Sequence, residues 1–135
     1  KGIRTHYEQA CNFDDERGSC IIDFNYQGID GYLMLTHRVI FLANRIYLNR
    51  FFFLNKSFQT LAASTYFYFL HVGIEYCLGC ARGVGKDEGK LIFGVSKTDK
   101  ETYVVSVSEL KIVSMLQEVE KSKNKDEIAG YVDEQ

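Results

Sequence analysis

The sequence contains no proline and no tryptophan, and none of its apolar runs approaches the roughly 18 residues of a membrane-spanning helix. The missing apolar run excludes a helical membrane span; the missing proline excludes nothing by itself. Charge of one sign is also lacking. Sixteen Lys and Arg against eighteen Asp and Glu leave a net charge of −2. There is thus no general attraction for nucleic acid or anionic lipid, and binding either would need a local basic patch. The opening KGIRTHYEQ lacks the charged-then-apolar profile of a signal peptide. Its start at Lys1 instead of Met leads to the expectation of a segment processed or excised from a longer chain. Four cysteines in an otherwise ordinary composition favour reduced thiols and a cytoplasmic setting.

What is present is enough apolar matter for one core: 46% hydrophobic and 14% aromatic residues over 135 positions. The clearest stretch is Lys90 to Lys121. Leu91, Phe93 and Val95 alternate with Ile92 and Gly94, a half-buried strand. Lys97 to Lys100 form a polar turn, and Tyr103, Val105 and Val107 alternate again. Ser106 and Glu109 have the spacing of a capping box. Beyond them Ile112, Met115, Leu116 and Val119 make one apolar helical stripe that would close the sheet.

Earlier in the chain, residues 1–17 read as a polar arm or linker, and residues 18–121 as the domain. Residues 122–135 read as a polar tail or helix extension. Cys20, Ile22 and Phe24 alternate in a first strand, Gln27 to Gly31 is turn-like, and Gly31 to Leu35 is a second strand. Thr36 to Asn44 admits two readings, a long loop or a turn into another strand. Arg45 to Leu54 is a strand whose hairpin partner, Phe58 to Ala63, follows the Asn55-Lys56-Ser57 turn. A helix over 49–63 is the competing reading. Tyr66 to Leu70 and Gly73 to Cys80 are strand-like, and Arg82 to Lys90 is a charged, glycine-rich loop. The sum is about seven strands and then one helix, a mainly β antiparallel sandwich or barrel.

Several of these pieces resemble a pleckstrin-homology (PH) domain. Gly31-Tyr32-Leu33 is similar to that family's opening strand, Tyr47 to Leu54 to its second, and Ile74 to Cys80 to its later "i-d-L-x-g-C" strand. Phe93, Tyr103 and the helix resemble the family's close. Gly31 to Phe41 is also similar to the related GRAM branch. The resemblance implies a seven-stranded sheet structure capped by a C-terminal amphipathic helix, and a role in phosphoinositide binding or protein interaction. The tryptophan that the family places on that helix is replaced here by Met115. The phosphoinositide-binding K-x-R becomes Leu48-Asn49-Arg50, and the first-strand lysine position holds Leu35.

The candidate headgroup site comprises His37, Arg38, Arg45, Arg50 and Lys56, expected to ring an open end of the sheet. Arg50 is the expected phosphate ligand, since it matches the family position and can fork bidentately. Val39, Ile40, Phe41 and Leu42, if looped out, would offer an apolar patch to a bilayer or a partner. Cys77-x-x-Cys80, with Cys11 and Cys20, makes a formal metal set. On a regular strand, however, positions i and i+3 point to opposite faces, so the expectation is idle thiols. Gly83-Val84-Gly85-Lys86 fails as a phosphate loop because Asp87 stands where the hydroxyl belongs. His6, His37 and His71 show no metal spacing, and no catalytic arrangement emerges.

The expectation is therefore a non-catalytic adaptor without cofactor or metal, cytoplasmic and peripheral to membranes. It would bind acidic lipid weakly through a degenerate basic site. The alternative is a protein-interaction module that uses a sheet edge or the groove beside the helix. A third reading, a secretion-chaperone-like homodimer, requires the helix over 49–63.

Overall fold

Two tight turns with left-handed central residues set the hairpins. Gln27 (φ 53°) and Gly28 (φ 84°) join β1 (Arg17–Tyr26) to β2 (Ile29–Phe41), while Thr98 (φ 54°) and Asp99 (φ 61°) join β6 (Lys90–Lys97) to β7 (Glu101–Ser108). Both match the positive-φ pairs that follow the twist of antiparallel strands. The computed structural model describes residues 16–41 and 43–119. Between these hairpins lie β3 (Arg45–Asn55), β4 (Thr60–Ala63), β5 (Glu75–Arg82) and a single 3-10 turn at Gly85–Asp87. The helix α1 (Glu109–Met115) and the two-residue β8 (Gln117–Glu118) follow β7.

The chain is mainly β, with eight strands among the described residues in two antiparallel sheets and one helix near the C-terminal end. One sheet has the order β1-β2-β3-β4-β8, the other β5-β6-β7. Their facing sides make the core. Phe24, Tyr26, Leu33, Leu35, Phe51 and Phe53 meet Cys77, Leu91, Phe93 and Val95, with Ile112 and Leu116 closing the gap. The opposite face of β3 is also covered, by a second cluster of Phe52, Leu54 and Ala63 with Tyr32, Met34 and Val119 against it. No helix among the described residues is long and apolar enough to cross a membrane.

Three local expectations are corrected. Thr36 to Phe41 is neither loop nor turn. It continues β2, which pairs residue by residue with β3 from Gly31↔Asn55 to Phe41↔Arg45; backbone groups that a loop would leave to water are satisfied in the ladder. The helix is capped by Ser108, whose hydroxyl accepts from the Lys111 amide at 3.0 Å. Ser106 instead pairs with Ile92, because β6 runs far enough to keep β7 extended for two more residues. The helix also ends early, at Met115: Gln117 and Glu118 turn extended to pair with Ala63 and Ala62. The four stripe residues still pack inward, Ile112 and Met115 from the helix, Leu116 and Val119 from beyond it. Residues 49–63 are strands and a turn, which removes the helix that a chaperone-like dimer requires.

Tyr66 to Leu70 is not a strand either, apart from one bridge between Phe67 and Asn49. The cause is Glu75, fully buried at the start of β5. Its carboxylate accepts the amides of Phe69 (2.7 Å), Leu70 (2.6 Å) and His71 (3.1 Å). Three consecutive amides converging on one carboxylate curl the segment, and Phe67 and Phe69 turn toward the core. Gly31 has an equally direct reason to be glycine, since a Cβ there would lie 2.1 Å from the Leu54 carbonyl oxygen.

Replacing Glu75 by Gln should lower unfolding stability by about 2–3 kcal/mol, the worth of charge-assisted bonds that a neutral amide cannot reproduce. The urea midpoint should fall at unchanged slope, and amides 69–71 should lose hydrogen-exchange protection first.

Candidate functional site

Of the five basic residues expected to form one site, Arg38 and Arg50 meet at the Tyr66 hydroxyl, whereas Arg45 and Lys56 stand at opposite ends of β3. Arg50 is buried on the outer face of β3. Its Nη1 lies 3.3 Å from Glu16 Oε2, and its Nε donates to the Ser64 carbonyl at 3.0 Å. Its guanidinium sits 4.2 Å from the centre of the Tyr66 ring. Glu16 also accepts from Thr36 Oγ1 at 2.8 Å and from the Tyr66 hydroxyl. Burial, reinforced by Glu16, raises the Tyr66 pKa above its ordinary value, which keeps that hydroxyl a donor. Nε and Nη1 of Arg50 are thus committed inside the protein. Glu16 and Arg17, read in the sequence as part of an arm, belong to the folded unit.

His37 is half-buried between aromatic rings. It stacks on Tyr47 at 5.9 Å and lies 6.3 Å from Tyr76, and Ser19 Oγ is 3.0 Å from its Nδ1. Burial, with the nearby positive charge of Arg17, lowers its pKa, so the ring is neutral near pH 7. Arg38 reaches the Tyr66 hydroxyl at 3.4 Å. Lys56 lies in the β3–β4 turn, over the Tyr32 ring at 4.4 Å and 3.8 Å from Asp23. Arg45 begins β3 and Lys56 follows its end, so about 35 Å of strand separates them. They share no site.

Arg45 remains exposed, beside the β2–β3 tip. Phe41 at that tip is 71% exposed, while Val39 and Ile40 are half-buried strand residues. Leu42 lies outside the described residues, as do Cys11 and His6.

A different surface is better built. Among the described residues β7 is the last strand of its sheet, hydrogen-bonded on one side only. Its partners on β6, Leu91, Phe93 and Val95, are 0–1% exposed. The residues opposite them, Val107, Val105 and Tyr103, are left half-covered or exposed. The difference is that no described strand lies beyond β7. Beside that edge runs an apolar groove of about 310 Å³, lined by Phe67, Phe69, Val105, Val107 and Met115. Lys111 provides its one charged side chain. These residues were read from the sequence as core strand and helix positions. The alternation of β7 gave their inward face correctly, but nothing local says that no strand follows β7 in the sheet.

Among the described residues, no group of three or more His, Cys, Asp or Glu side chains is placed to hold a metal ion. In comparisons with known proteins, no family model, curated protein or solved structure matches the chain.

Two predictions separate structural from surface basic residues. Arg50→Ala should cost about 3–5 kcal/mol of stability, because it strands the Glu16 carboxylate in the interior. Arg45→Ala should stay within about 0.5 kcal/mol of the parent; paired urea titrations check both. His37 gives a pH signature. Its folded pKa lies below the unfolded value, so its stabilising contribution is complete above the ordinary histidine range and is lost as pH falls through it. Between about pH 7.5 and about 5.5 the parent should lose more thermal stability than His37→Phe.

Proposed function

We propose that this chain is a non-catalytic adaptor module of pleckstrin-homology-like fold, whose partner is an extended segment of another protein added to the free edge of β7. The observation that carries this reading is the half-covered row Tyr103, Val105 and Val107, opposite the fully buried Leu91, Phe93 and Val95. An added strand would complete the ladder with main-chain hydrogen bonds, and its alternate side chains would fill the groove beside Phe67, Phe69 and Met115. Lys111 at that groove favours a segment carrying an acidic residue among apolar ones.

Seven strands before the helix, in two antiparallel sheets, support the PH-like assignment. One register of the resemblance does not survive. A complete strand, β1, precedes Gly31-Tyr32-Leu33, so that triplet does not open the sheet. Counted from β1, the family's headgroup-binding positions no longer fall on Leu35 and Arg50.

A second reading keeps recruitment to an acidic membrane surface, with the chain peripheral to it. Its support is the exposed Phe41 beside Arg45 at the β2–β3 tip, an apolar wedge with one cation. A single such site would bind feebly and would need avidity from an attached domain.

Selection from a displayed library of random peptides, followed by hydrogen exchange on the bound state, tests the first reading. Protection should appear over Glu101–Ser108, and Val105→Lys, measured where circular dichroism shows it folded, should weaken the selected peptide about tenfold or more. Selected peptides that leave those amides unprotected would overturn it. Co-sedimentation with phosphatidylserine vesicles tests the second: binding should fall with added salt and with Arg45→Ala, and binding that ignores both excludes the tip.

A further inference from the structure

The expectation that Cys77 and Cys80 point to opposite faces fails for a specific reason. The β5–β6 register slips between Cys77 and Gly79, so Leu78 is an extra, bulged residue with its side chain 55% exposed. A bulge resets the alternation. Cys77 lies opposite Val95 and Cys80 opposite Phe93, both buried core residues, so both thiols face inward. On β1, Cys20 alternates regularly with Ile22 and Phe24 and so lies on the inner face as well, opposite Leu35. Cys77 is part of the buried core, and Cys20 and Cys80 pack against it.

The strands carrying these residues meet where the two sheets meet. Arg82, two residues beyond Cys80, donates to the carbonyl of Asp23, three residues beyond Cys20. β1 packs against β5, and Cys20 and Cys80 both lie against the core cluster that contains Cys77. Cys77 first, then Cys80 and burial, push the Cys20 thiol above its ordinary pKa, while Cys20, with help from the charge of Arg82, lowers that of Cys80. Three thiols from two sheets thus belong to one corner of the core, and Cys80, half-buried where Cys77 is 5% exposed, is the more approachable of the β5 pair.

We propose that Cys20 and Cys80 form a reversible disulfide that joins the two sheets, made by exchange with a low-molecular-weight disulfide of the glutathione type. The Cys80 thiolate attacks one sulfur of the small disulfide. Its S–S bond breaks, and one small thiolate leaves and takes up the proton that Cys80 lost. Cys20 then gives up its proton and attacks Cys80 Sγ of the mixed disulfide, displacing the second small thiol. Two protein thiols are oxidised and one small disulfide is reduced to two thiols, with no other reactant. The bond closes a long loop of chain, from β1 to β5, and ties the sheets together at a corner otherwise held by packing and by Arg82.

The test is made on the full chain carrying Cys11→Ser, which removes the one cysteine outside the described residues. After equilibration with oxidised and reduced glutathione and alkylation of free thiols, non-reducing peptide mapping should recover Cys20 linked to Cys80. The melting temperature should rise on the order of 10 °C over the reduced form. Cys80→Ser should lose both the link and the rise, and Cys77→Ser should keep both. A glutathione adduct on Cys80 that never resolves, or a link that runs through Cys77 while Cys80 stays free, overturns the proposal. The unmutated cysteine pair is read directly by the mapping, so a serine variant that fails to fold does not remove the decision.

Discussion

Burial of β3 on both faces is the constraint from which the remaining placements follow. A strand covered on one side can be satisfied by a single packed layer; one covered on both must have material behind it as well as before it. Phe51 and Phe53 look into the sandwich, while Phe52 and Leu54 look away from it and are also removed from water. The demand on the outer side is met in part by Val119, which brings the chain after the helix back across the sheet and lets Gln117 and Glu118 pair with β4. The early end of α1 is a consequence. Each further helical residue would have cost a contact that β3 and β4 already required.

The same double burial decides what Arg50 is for. On the outer face of β3, between Phe52 and Tyr66, a guanidinium must be paired inside the protein or not be there at all. Glu16, Ser64 and Tyr66 supply that pairing, and Thr36 satisfies the second carboxylate oxygen. With Nε and Nη1 engaged, the arginine would have to give up one of these bonds to grip a phosphate through that edge of its guanidinium. Sequence likeness placed it at a headgroup position. The charge balance around it makes it a structural element.

The period-two runs, the Lys97-to-Lys100 turn and the stripe Ile112-Met115-Leu116-Val119 were legible because they are local: each is written within a few residues. What escaped was set at a distance. Glu16 lies 34 residues from the arginine it neutralises. Glu75 bends a segment that its own aromatics, Tyr66 to Phe69, would have made a strand. The bulge at Leu78 inverts the parity of Cys77 and Cys80 through a register slip against β6, which no spacing rule in Cys-x-x-Cys reveals. Similarly, β7 reads as any half-buried strand; that it is the last in its sheet is a property of the order of strands and not of ETYVVSVS itself.

That last property has a quantitative side. The seven residues of α1 extend for about 10 Å, whereas the eight residues of β7 extend for about 27 Å. A helix of that length can plug the gap between the sheets with Ile112 and Met115, but it cannot lie along the whole edge it follows. Nor does β7 carry the usual deterrents to pairing: it has no proline and no lysine, and its one charge, Glu101, stands at the start. Its outward Val104 is 74% exposed. An edge that no described strand covers and no charge or proline blunts is costly to leave unpaired in a crowded solution. Its retention here, next to a groove whose walls are already apolar, is the physical argument for a partner that arrives as a strand.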